Sequence, residues 1–202
     1  MNNKERILLL AHEKFFKEGF YKVSMDELAR ELRMSKKTIY KHFVSKESLM
    51  DAVVDGMLSS VSGKIDEVVA QDISAIGKIL GMFNIIVNLA VFASEKWLND
   101  IKIHAPELWT KIDTFRTQKM RDKITRILDQ GKKEGVFEDK PTILVHTIFI
   151  TSVRAVVNPD FILNNNMSFR ETMETTFGIL LNGIFTEKGK MEFKNLKNGI
   201  NK

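Results

Sequence analysis

The sequence predicts an all-α fold, with a small three-helix head at the N-terminus and a larger helical body behind it. Three observations predict it. Helix-start signals recur about every ten residues between Ser24 and Leu49. Beyond them, long segments keep their apolar residues at the spacing of one helix face. The 202 residues include only three prolines and two tyrosines, which suits a mostly helical chain.

The first helix is predicted over 4–18, where Ile7, Leu8, Leu10, Ala11, Phe15 and Phe16 follow a helical spacing. Gly19 suits a left-handed helix end, with Phe20 folding back as its apolar partner. Ser24 and Glu27 have the spacing of a capping box, and Val23 and Leu28 that of a hydrophobic staple. Met34–Ser35–Ile39 and Val44–Ser45–Leu49 repeat the pattern. Starts this close together require short helices that turn sharply. Residues 1–45 therefore hold three helices, and a fourth starts at Ser45.

The third helix has two chemically distinct faces. With about 100° per residue, Phe43 falls about 40° from Ile39, and both face inward. Lys37 and Lys41 lie almost opposite, with Thr38 and Tyr40 on the flanks and His42 nearer the core side. Lysine and tyrosine reach phosphates, lysine also donates to guanine edges, and threonine meets a thymine methyl. A basic face on a single helix is most often only solvated. The capped helix before it and the tight turn between the two make a helix-turn-helix that presents this face to a DNA groove.

Residues from about Ile7 to Leu49 resemble the DNA-binding domain of the TetR family of bacterial transcription regulators. The resemblance rests on FFKEGF at the end of the first helix, Val23–Ser24, Leu28–Ala29, and SKKTIYKHF followed by SKESL. Arg33 departs from the pattern, standing where the family often has glycine. If that position is left-handed, arginine costs on the order of 1 kcal/mol of strain; Arg33 can also reach a phosphate. Helix angles and the matched motif together place Lys37, Thr38 and Lys41 toward base edges, and Ser24, Tyr40, His42 and Lys46 toward phosphates. Arg33, Ser35 and Lys36 complete the expected DNA-binding set.

Charge and composition agree with this placement and exclude other classes. Residues 1–50 carry eleven Lys and Arg against seven Asp and Glu, so most of the net charge of +5 lies in the first quarter. That is a local footprint, unlike the overall basicity of a general RNA-coating protein. No cysteine is present, which excludes disulfides and thiolate metal sites. The first residues, MNNKERILLLAHEKFF, are too briefly apolar for a secretory signal. The longest apolar run, Ile143–Val157, is interrupted by His146 and Arg154, so no membrane span is expected. His12, His42, His104 and His146 are dispersed without metal spacing, and there is no phosphate loop or nucleophile elbow. GKKEGVF at 131–137 reads as a helix stop with a turn. Neither a catalytic residue, a metal nor a cofactor is expected.

In the body, helices are predicted at roughly 46–69, 73–93, 95–104, 106–133, 141–157 and 168–186, with a flexible tail over 188–202. The last two are apolar over most of their surface. Ile143, Leu144, Ile148, Val153 and Val157 mark one, and Met173, Phe177, Leu181 and Phe185 the other, with Gly178 and Gly183 allowing close approach. One chain could bury both in its own core, but the resemblance implies that they pair with their mates in a homodimer. It also implies an effector pocket in the middle helices, where aromatic residues including Phe92 are dense. Phe83, Trp97, Trp109 and Phe115 are its expected aromatic lining and Asn84, Asn88 and His104 its expected polar groups. An aromatic stripe at helical spacing is more often core, and that reading stays beside the pocket.

The domains expected are thus a helix-turn-helix domain over 1–45 and a ligand-binding and dimerisation domain over 46–187. The expected function is that of a cytoplasmic, homodimeric, sequence-specific transcription regulator, a repressor released from its double-stranded DNA operator by a small, partly apolar effector. A helical carrier, or an adaptor without DNA function, is the alternative.

Overall fold

Cap residues set the helix boundaries much as the sequence dictates. A computed structural model of the chain describes residues 1–90 and 94–200, apart from the side chains of 89, 90 and 198–200. Phe92 and the last three residues of the helix expected over 73–93 lie outside the described residues. The order is α1 Asn3–Glu18, α2 Met25–Leu32, α3 Lys36–His42, α4 Lys46–Ala70, α5 Ala75–Ala90, α6 Glu95–His104 and α7 Pro106–Thr114. Next come a π-helical turn over Phe115–Lys119, α8 Arg121–Lys133, α9 Thr142–Val156, α10 Pro159–Asn164, α11 Phe169–Asn182 and α12 Glu187–Ile200. Among the described residues, the β contribution is one isolated antiparallel bridge, Phe137 with Phe185.

The chain divides into two compact units. Unit 1 comprises Met1–Ser60 and Ala90–Ile112; unit 2 comprises Val61–Leu89 and Asp113–Lys202. This differs from the boundary expected at 45, because α6 folds with the head. Trp97 stacks on Phe16 with centroids 4.7 Å apart. Ser94 Oγ donates to the Phe16 carbonyl at 2.7 Å. Asp100 Oδ2 accepts the Tyr21 N–H at 2.9 Å. These partners lie about 80 residues apart in sequence, so no local pattern announces them.

The core of unit 1 is built from Ile7, Phe15, Leu28, Ile39, Leu49, Leu98 and Ile101, all essentially inaccessible. In unit 2 the larger cluster includes Val61, Ile65, Ile76, Ile79, Ile127, Phe137, Phe149, Leu181 and Phe185. A smaller one gathers Val87, Val157 and Met173. α9 packs on both α8 and α11.

Three body elements depart from expectation. The helix predicted over 106–133 is interrupted by the π-helical turn at Phe115–Lys119, in which each turn holds one more residue than an α-helix. Asn158, read as a break, caps the short α10, its side chain accepting the Phe161 N–H at 2.9 Å with Pro159 in the first turn. The tail expected to be flexible from 188 is helical over Glu187–Ile200. It is anchored at its start: Thr186 N–H donates to the Val136 carbonyl at 3.1 Å, Lys188 donates to the Glu134 carbonyl at 2.7 Å, and Gly189 lies directly against the Val136 carbonyl. Partly buried Phe193 then packs on the larger cluster. The stop at 131–137 is as expected: Val136 and Phe137 N–H groups both donate to the Gly131 carbonyl.

Candidate nucleic-acid interface

α2 and α3 owe their geometry to two serines and one strained arginine. Ser24 Oγ accepts the Glu27 N–H at 3.1 Å, starting α2. Ser35 Oγ accepts the Thr38 N–H at 3.0 Å, starting α3, and lies 2.8 Å from the Thr38 hydroxyl. Between them Arg33 has φ 54° and ψ 42°, the left-handed conformation. There its N–H reaches the Arg30 carbonyl and that of Met34 reaches the Ala29 carbonyl at 2.9 Å. The helix-end carbonyls of Ala29 and Arg30 are thereby satisfied, which offsets the arginine's strain.

The two faces of α3 separate as the angles require. Ile39 is fully buried and Phe43 is 4% exposed. Lys37 and Lys41 are exposed, as are Ser24, Arg33, Ser35, Lys36 and His42; Tyr40 is 41% exposed and Thr38 half-buried. His42 is thus more open than its angle suggested. All ten expected DNA-binding residues, Lys46 included, belong to unit 1. Two of the cations are already engaged. Lys36 pairs with Asp26 at 2.6 Å in an exposed bridge, the kind a phosphate readily replaces. Lys46 donates to the Tyr21 carbonyl at 2.8 Å and lies over the Phe20 ring at 5.6 Å. Burial pushes its ammonium below the usual lysine range.

One residue that sequence reasoning passed over holds the head together. Lys14, nearly buried, pairs with Glu27, with Glu31 at 3.0 Å and with Glu18 at 3.3 Å. The Glu27 carboxylate, chiefly, raises the Lys14 pKa, and Lys14 in turn lowers that of Glu27. Glu27 thus has two roles: its N–H bonds the Ser24 cap and its carboxylate pairs with Lys14.

The seven residues expected to line an effector pocket are divided between the two units. Trp97, His104 and Trp109 lie in unit 1, and Phe83, Asn84, Asn88 and Phe115 in unit 2. Trp97 is buried against Phe16, and its indole N–H lacks a hydrogen-bond partner among the described residues. Exposed His104 stacks on Tyr21 at 4.0 Å. Phe83 packs on Phe177 at 5.3 Å, Phe115 packs on the larger cluster of unit 2, and Asn84 and Asn88 point to solvent. Trp97, Phe83 and Phe115 each pack on neighbours within their own unit. Among the described residues, no three His, Cys, Asp or Glu side chains converge as metal ligands, and no helix is long and apolar enough to cross a membrane.

Comparison with known proteins adds a family. Residues 7–53 match the family described as bacterial regulatory proteins, tetR family. The chain is 22% identical over 176 residues to the HTH-type transcriptional regulator YvaF of Bacillus subtilis (strain 168), covering 87% of this chain and 92% of the relative. It is 39% identical over 51 residues to the HTH-type transcriptional regulator UidR of Escherichia coli (strain K12), a quarter of each chain. Among solved structures, a transcriptional regulator from Cytophaga hutchinsonii shares the fold at a TM-score of 0.72, with 18% identity over 90% of this chain and 98% of the other. The ketosteroid transcriptional regulator KstR2 of Mycobacterium tuberculosis shares it at 0.57, with 20% identity over 92% and 96%.

Proposed function

The chain belongs to the TetR family of bacterial transcription regulators and is a DNA-binding regulator; from that premise we propose that it is a cytoplasmic repressor, released from its operator by a small-molecule effector. One observation carries the DNA-binding assignment: α3 holds Lys37 and Lys41 in the open while Ile39 and Phe43 anchor its opposite side. Lys37 and Thr38 read base edges with Lys41. Ser24, Arg33, Ser35, Lys36, Tyr40, His42 and Lys46 hold the backbone.

TetR-type regulators act on DNA as dimers. α9 and α11 supply the interface in this reading, because they leave Ile143, Leu144, Ile148 and Ile179 open to solvent and no heavy atom lies near a side chain added at Gly178. Two-fold symmetry then places two α3 helices about 34 Å apart, matching successive major grooves. The effector acts on unit 2, and α4 carries the response, since it runs unbroken from Lys46 to Ala70. Release requires the effector to bind the DNA-free arrangement more tightly than the DNA-bound one.

The test is base preference. Operator fragments are selected from the source genome, and Lys37→Ala is then measured on the operator and on random DNA. The substitution shifts the preferred bases and costs about 1–3 kcal/mol on the operator. Equal loss on both DNAs would remove Lys37 from base readout.

A further inference from the structure

We propose that a cleft of unit 2, formed by α4, α5 and α8, binds a small monocarboxylate with a short apolar body. The cleft holds about 280 Å³. Its apolar side is Val69 and Ala70 from the last turn of α4 and the inaccessible Ile127 of α8. Its charged side is Lys78 of α5 and Arg126 of α8. None of these belongs to the aromatic group considered above.

The polar frame around Lys78 is fixed before any ligand arrives. Gln130 Oε1 accepts from Lys78 Nζ at 2.9 Å. Gln130 Nε2 donates to the Ile73 carbonyl at 2.9 Å and to Glu134 Oε1 at 2.6 Å, and Glu134 Oε2 accepts the Ala75 N–H at 2.8 Å. Both donors of the Gln130 amide are therefore spent, while an ammonium has three donors and Lys78 has used one. The exposed Arg126 guanidinium has no hydrogen-bond or ion-pair partner among the described residues. The acid on the rim, Asp66, is already paired with Lys123 at 2.6 Å, and Lys123 is held by the Ser62 hydroxyl at 3.0 Å. The charge left uncompensated is positive.

Size and wall chemistry select the ligand. A volume just under the usual range of ligand sites, about 300–1,000 Å³, limits the occupant to a small molecule. The guanidinium fork matches a carboxylate in bidentate fashion. An inorganic anion would meet the cations but leave the Val69 and Ala70 wall wet. A neutral analogue would fill the wall but leave the cations unmatched. A carboxylate with a short hydrocarbon body answers both sides. It would sit against the final turn of the helix that begins at Lys46.

The inference rests on the proposed effector response for its consequence only, so binding is measured without DNA. The full chain is titrated by calorimetry with butyrate, benzoate, butyramide and inorganic phosphate, and Ile127 methyl shifts report the location. Butyrate or benzoate binds saturably and moves Ile127; butyramide and phosphate bind at least about tenfold more weakly. Arg126→Gln weakens carboxylate binding at least about tenfold and Arg126→Lys by less, both with unchanged circular dichroism, because the wild-type guanidinium bonds none of the described residues. No saturable carboxylate binding, butyramide or phosphate binding as tightly, or full binding by Arg126→Gln would overturn the site. A carboxylate that binds here and leaves operator affinity unchanged refutes the effector response alone.

Discussion

At φ 86° and ψ 140° Gly19 occupies backbone that other residues rarely adopt, and a side chain there would begin 2.5 Å from Asp100 Oδ2. That oxygen accepts the Tyr21 N–H, so the turn after α1 is fitted to α6. The glycine was legible in the sequence as a helix end, but a left-handed cap was expected; ψ is extended instead, because the chain leaves α1 to meet Asp100. Gly19→Ala should cost about 1–3 kcal/mol, from strain and the displaced carboxylate together. Thermal unfolding of the variant measures it, and an unchanged midpoint would mean that the turn relaxes freely. Lys46 shows a second limit of motif reading. Its ammonium is bonded to the Tyr21 carbonyl and covers the Phe20 ring, so Lys46→Ala is expected to lower stability by about 1–2 kcal/mol. In the proposed DNA contact its remaining donors serve a phosphate, and the same variant should then reduce the salt slope of DNA binding by about one unit. Loss of stability with an unchanged slope would confine Lys46 to the fold.

Individual helices carry the pH response. Lys14 of α1 binds α2 through Glu27 and Glu31, and the Glu27 pKa is depressed by that contact. A depressed carboxylate stabilises the folded state above its unfolded pKa, near 4.5, and that contribution is lost as pH falls through the folded value. The buried His146 of α9 works in the same direction at higher pH. Burial, with a smaller effect of Arg121, holds its imidazole below the ordinary 6.5, and its Nε2 has no hydrogen-bond partner among the described residues. Its contribution is complete above 6.5 and declines as pH drops toward the lowered value. His12, half-buried beside Phe16, is likewise lowered by burial. The unfolding midpoint should therefore fall between about pH 7 and pH 5, and fall again near pH 4. His146→Phe should flatten part of the first step; an unaltered pH profile in that variant would place the proton uptake elsewhere. Neither histidine's role was legible, because burial of one ring on a helix depends on which neighbour covers it.

For the whole molecule, α9 and α11 leave several apolar residues uncovered in a single chain. Ile143, Leu144 and Ile148 are each about half exposed, and Ile179 more. Ile148→Arg should give a folded monomer in sedimentation and weaken operator binding severely, since two heads would no longer be held at groove spacing. A dimer that persists in Ile148→Arg would move the interface away from this face. The steering charge lies elsewhere, with eleven cations against seven anions in the first 50 residues. Salt should consequently weaken DNA binding far more than dimerisation.

By itself the sequence determined the all-α class, the three short helices of the head and the outward face of α3. Each depends on neighbours within about four residues: a serine cap and the N–H it bonds, a buried Ile39 and the lysines set opposite by helix pitch. Tertiary structure alone decided that α6 folds with the head, which neighbours Trp97, Phe83 and Phe115 pack against, and that Glu187–Ile200 is helical. It also decided that Lys78 and Arg126 share a cleft. These outcomes depend on contacts between residues tens of positions apart. Helical periodicity states which face is apolar, but it does not state which partner will cover that face.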